Sequence, residues 1–123
     1  MTVWNNPGLT KVRDADGALP KFRMLTTGAQ PGTLKLTESG SDVPIAANQE
    51  LPVDDREPFD AVYAGLVALT IGEAIPEGAE VAAGAEGKIF VATAGDYVCG
   101  HAFSAGTADG TTIPVVLRFS GVK

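Results

Sequence analysis

A chain of 123 residues with 45% apolar content, 15 glycines, 8 prolines and a formal charge of −6 has room for one domain with a modest core. The negative balance speaks against phosphate-backbone binding, which needs concentrated lysine and arginine, and no segment approaches the roughly 18 continuous apolar residues of a membrane-spanning helix. The lone Cys99 allows no internal disulfide, so folding requires no oxidising compartment.

Glycine and proline punctuate the chain so often that the longest stretch free of both is the eight residues from Leu9 to Asp16. An average helix takes about 11 residues, and an interior glycine or proline costs about 1 or 3 kcal/mol. Helices of normal length are therefore excluded, whereas strands of about five residues joined by tight turns fit the spacing. The predicted class is all-β: a compact barrel- or sandwich-like domain of short strands.

Met1 to Pro7 has no basic start followed by an apolar run, so the sequence predicts no signal peptide. Residues 1–20 contain two turn clusters, Asn5-Asn6-Pro7-Gly8 and Asp14-Ala15-Asp16-Gly17, and few apolar side chains. They read as an extended N-terminal arm, loosely held, ahead of a single β-domain over residues 21–123. Residues 1–23 are also slightly basic, through Lys11, Arg13, Lys21 and Arg23, while the body is acidic.

Lys21 to Thr26 alternates polar with apolar residues and predicts the first strand; Thr33 to Thr37 predicts the second, with Leu34 and Leu36 on one face. Val43 to Ala47 is a further short strand. The acidic Leu51 to Pro58 reads as a surface loop, and Ala61 to Ile71 is an apolar run broken at Gly65. Three glycine turns then precede strands at Ala79 to Ala82, Lys88 to Val91 and Tyr97 to Phe103. In the last strand, Ile113, Val115, Leu117 and Phe119 share one face and Pro114, Val116 and Arg118 the other. Pro114 lacks an amide donor, which puts it at a strand start or a sheet edge.

An offset of 55 brings Gly32, Gly40, Val43 and Ala47 onto Gly87, Gly95, Val98 and Ala102. These few, glycine-heavy identities fit an internal duplication of one β unit, and they equally fit coincidence.

The order of phrases GEAIPEGAEV, GAEGKIFVATAGDYVCGHAFSAGTADG and TTIPVVLRF resembles the small capsid decoration, or cement, proteins of tailed bacteriophages. The resemblance spans roughly Asp42 to Phe119. It implies an all-β virion protein, made in the host cytoplasm, that self-associates as a dimer or trimer and stabilises the assembled head by binding the major capsid protein from outside. The matching phrases are turns and core strands, so they transfer no contact residue. The arm supplies the candidates instead: Val3, Trp4 and Leu9 as apolar anchors, with Lys11 and Arg13 steering toward an acidic partner.

Chemistry finds little footing. Cys99 and His101 stand two apart in a predicted strand and would share a face, but zinc wants four ligands and the chain has no second cysteine or histidine. The Asp14-Ala15-Asp16-Gly17 run lacks the later ligands of a calcium loop. Asp54, Asp55 and Glu57 form a solvated acidic loop rather than an acid/base pair in a cleft. Gly84-Ala85-Glu86-Gly87-Lys88 lacks the spacing of a phosphate loop, and Ser104 and Ser120 have no triad. The expectation is a non-enzyme without cofactor or metal, binding neither nucleic acid nor membrane. A small ligand- or carbohydrate-binding β-module is the alternative, although one tryptophan and two tyrosines give little stacking surface.

Overall fold

A computed structural model describes residues 6–49 and 52–123, with residues 6–10 described by backbone alone. The elements in chain order are β1 (Asn6–Ala15), β2 (Arg23–Thr27), β3 (Thr33–Leu36), β4 (Ala46–Asn48), β5 (Pro58–Thr70), β6 (Glu80–Ala83), β7 (Ile89–Val91), β8 (Tyr97–Ala102) and β9 (Thr112–Val122). Between β6 and β7 lies one 3-10 turn, Ala85–Gly87. The domain is all-β, and most strands fall where alternation and turn chemistry place them.

The first five strands close on themselves. β1 pairs with β3 and β5, β2 with β3 and β4, and β4 with β5, which makes a five-stranded barrel. Its interior holds Ala15, Leu19, Leu25, Leu34, Ala46, Val53, Phe59 and Ala61. The remaining strands continue the sheet in the order β5-β9-β8-β6-β7, and a parallel bridge from Ile71 to Ile89 returns β7 to the end of β5. A second core forms inside this unit, around Val67, Leu69, Ile71, Val81, Ile89, Cys99, Ile113 and Val115. Met24, Ala47 and Val62 join it, so the outer face of the first barrel becomes one wall of the second. This is why Met24, Leu25 and Thr26 are all buried: β2 has a core on each side and shows no clean alternation.

The two units repeat one another. Asp14 opposite Pro58 recurs 55 residues later as Leu69 opposite Ile113. Leu19 and Val53 exchange two backbone hydrogen bonds, as do Ile75 and Gly106. Left-handed backbone recurs at Phe22 and Gly78, Gly32 and Gly87, and Arg56 and Gly110. The fold is thus one pairing scheme used twice, with β5 closing the first unit and opening the second. Gly65, at φ 110, bends β5 between its two roles.

Three expectations change. Residues 6–15 are not a loose arm, for they pair along β5 from Asn6 opposite Leu66 to Asp14 opposite Pro58, and Ala15 and Leu19 are 1% exposed. Pro114 is neither the start of its strand nor at an edge: β9 begins at Thr112 and lies between β5 and β8. The proline is accommodated because its carbonyl still accepts from Phe103 N–H and its pair with Ala68 needs no proline donor. Cys99 and His101 do not share a face. A register shift between Val98 and Gly100 turns Cys99 into the second core and leaves His101 half-buried opposite the exposed Val116, as a β-bulge does.

Candidate binding surface

Val3 and Trp4 lie outside the described residues, and Leu9 is placed by backbone only, opposite Ala64 at a register shift. Lys11 and Arg13 pair with Ala61 and Phe59, which line the first barrel. Cross-strand partners share a face, so the row Ala15, Arg13, Lys11 climbs from the barrel interior to its mouth, and exposure rises along it from buried to half-buried to exposed. Arg13 Nε donates to Tyr63 Oη at 2.6 Å, with the guanidinium 5.9 Å from the ring centroid. That geometry ties Arg13 down and leaves Lys11 freer. Val12 points the other way, 60% exposed, beside a shallow depression of about 220 Å³ lined with Pro58, Phe59 and Asp60. A larger open groove of about 420 Å³ runs between Asp14, Gln30, Pro31, Thr33 and Arg56.

The carboxylates singled out by sequence close turns. Asp16 accepts from Ala29 N–H at 2.8 Å, Asp55 from Gly17 N–H at 2.9 Å and Glu57 from Asp54 N–H at 2.8 Å. Asp42 and Asp96 do the same for Glu38 and Thr93. These are fold-building acceptors. Burial pushes the Cys99 thiol up to about 12, against a smaller lowering by a backbone hydrogen bond, so it carries no nucleophilic thiolate near neutrality. Among the described residues no group of three or more His, Cys, Asp or Glu is placed to hold a metal ion.

The surface that sequence reasoning missed lies on the outside of β5, β9 and β8. Leu66 pairs with Val116 and Val116 with His101, so the three side chains stand in a row across the sheet. Phe103 joins them beside Pro114, its N–H donating to the Pro114 carbonyl. Phe103 is 58% and Val116 40% exposed. The signal was present in the apolar character of both faces of Ile113 to Phe119, but only the closed second unit shows which face is left bare.

No protein-family model matches the chain, and no curated protein does either. A solved structure does: the N base of the head fiber gp8.5 of bacteriophage phi29 is similar over 94% of this chain and 98% of its own, with a TM-score of 0.71 at 15% identity. The likeness is one of fold, and it covers nearly the whole of both chains.

Proposed function

We propose that this protein is a structural component of a bacteriophage virion that binds the outer surface of the assembled head and stabilises it. The observation that carries the reading is the shared fold with a head-fiber base, which covers nearly the whole of both chains. It is supported by the resemblance of the glycine-turn phrases to capsid decoration proteins and by the use of the carboxylates as turn caps. A double unit built, among the described residues, of strands and one 3-10 turn suits a part that must hold its shape on a shell. The partner is the major capsid protein, with self-association of the decorating copies. Val3, Trp4, Leu9, Lys11 and Arg13 form the contact: Lys11 at the barrel mouth provides charge, and the residues before β1 provide apolar anchors.

The test is co-sedimentation with expanded heads that lack the protein. Because β1 is part of the barrel, the informative truncation stops at Asn5. Removing residues 1–5 is expected to leave the fold intact and weaken head binding at least about tenfold, equivalent to about 1.4 kcal/mol. Lys11→Glu is expected to weaken it further at low salt. Failure of the full chain to sediment with heads would overturn the reading.

A further inference from the structure

We infer that two copies of this chain associate through the end of β9, residues 118–122, each strand lying antiparallel against its copy across a two-fold axis near Ser120. The inference names the surface for the self-association proposed above and rests on that reading. Three observations carry it, and the first is an open ladder. β9 pairs with β5 only as far as Leu117 opposite Gly65, because β5 then bends away and gives both edges of Ala61 and Val62 to β1 and β4. β8 holds the other edge of β9 through Gly121 and Val122. Among the described residues, no strand lies against β9 beyond Leu117 on the side that β5 leaves.

The second is that the first unit shows what fits there. At the equivalent bend, Gly65, β1 runs antiparallel alongside β5 and continues to Asn6 opposite Leu66. Gly121 repeats Gly65 in left-handed backbone, at φ 83 against φ 110, but its edge lacks that antiparallel neighbour. Other exposed ladder positions are closed by side chains: Glu73 takes the Val91 N–H at 2.8 Å, and Gln49 takes both backbone groups of Ala68. Along residues 118–122 the described side chains offer only Ser120 Oγ, donating at 3.4 Å to the Arg118 carbonyl. The edge is left as a template for another strand.

The third is self-complementarity. Exposed large apolar side chains concentrate on this strand: Val116, Phe119 and Val122 are 40%, 39% and 57% exposed. A partner must supply an antiparallel strand and an apolar row, and β9 of a second copy supplies both. Centred on Ser120, the pairing sets Phe119 across from Gly121, where the space a Cβ would enter is open to 4 Å and a ring can lie over the bare backbone. Arg118 falls across from Val122, so the two arginines stand about 13 Å apart along the strands, beyond the screening length at physiological salt. No carboxylate occurs from Thr112 to Lys123, so the acidic groups of the body lie off the shared strand. A two-fold contact of this kind closes on itself instead of growing into a filament.

Sedimentation equilibrium of the free full chain decides the inference without heads, so its failure leaves the capsid reading standing. The chain is expected to be a dimer in the micromolar range. Phe119→Lys and Val122→Lys, each at an exposed site, should raise the dissociation constant at least about tenfold by setting like charges along the shared edge, with far-UV circular dichroism unchanged. Ser120→Cys should cross-link the two copies on mild oxidation faster than Thr107→Cys, an exposed site beyond the other end of β9. The buried Cys99 gives no background in either variant. A monomer throughout that range would overturn the inference. So would a dimer indifferent to both lysines, a dimer lost on deletion of residues 1–5 alone, or a cross-link no faster at Ser120→Cys than at Thr107→Cys.

Discussion

The side chain of Gln49 pairs with the backbone of Ala68 as a strand would: Ala68 N–H donates to Oε1 at 2.6 Å and Nε2 donates to the Ala68 carbonyl at 2.5 Å. Both residues are buried. One amide thus joins the residue that follows β4 in the first unit to the C-terminal part of β5 in the second. Gln49→Ala would leave an amide and a carbonyl buried without partners, and it is expected to cost about 2 to 4 kcal/mol in urea unfolding. Gln49→Glu keeps the acceptor but sets a carboxylate against the Ala68 carbonyl. Its deficit should shrink as the pH falls toward about 4, where the protonated acid again donates.

Arg56 holds a left-handed φ of 66, where the equivalent position of the second unit is Gly110 at φ 88. Its side chain is 92% exposed and only 3.9 Å from Asp55, an ion pair of little consequence. Arg56→Gly should therefore stabilise the protein by roughly 0.5 to 1 kcal/mol, since relief of backbone strain outweighs the added flexibility of the unfolded chain. A lower urea midpoint in the variant would contradict the equivalence.

Gly100 sits at the bulge of β8, where an added Cβ would come within 2.3 Å of the Val116 carbonyl oxygen and 3.0 Å of a Val115 methyl. The obstacle is backbone in the sheet and cannot swing away. Gly100→Ala should cost about 1 to 3 kcal/mol, whereas Gly110→Asn, at a position open within 4 Å, should cost clearly less because asparagine tolerates the left-handed region. Thermal unfolding of the two variants side by side checks the ranking.

The Cys99 thiol titrates near 9.0 when exposed and is pushed up to about 12 by burial. Between those values the folded protein keeps a proton that the unfolded chain has lost, so this contribution to stability is complete below pH 9 and falls as the pH rises toward 12. Cys99→Ala should flatten that part of the stability profile relative to the parent. A thiol reagent should react with Cys99 only on unfolding, and chelators should leave the melting temperature unchanged. Cys99→Ser should cost about 1 to 2 kcal/mol through a hydroxyl in an apolar core.

Much of this protein is decided locally. Glycine and proline spacing excludes long helices, turn residues such as Gly32, Gly78 and Gly95 take the left-handed backbone that L side chains resist, and period-two alternation places Ile113, Val115 and Leu117 inward. The repeat was faintly legible because those turn positions recur, yet the Phe22–Gly78 and Arg56–Gly110 pairs hide it, since the same conformation is met by different residues.

Tertiary structure decided the rest, through partners distant in sequence. Residues 6–15 resemble an arm because a strand that earns its place by pairing with β5 needs few apolar side chains of its own. The bulge that separates Cys99 from His101 depends on simultaneous register with β6 and β9, which no local window contains. The apolar face at Val116 and Phe103 reads as core in sequence, and only closure of the second unit around the opposite face of β9 determines which apolar row is buried and which is left at the surface.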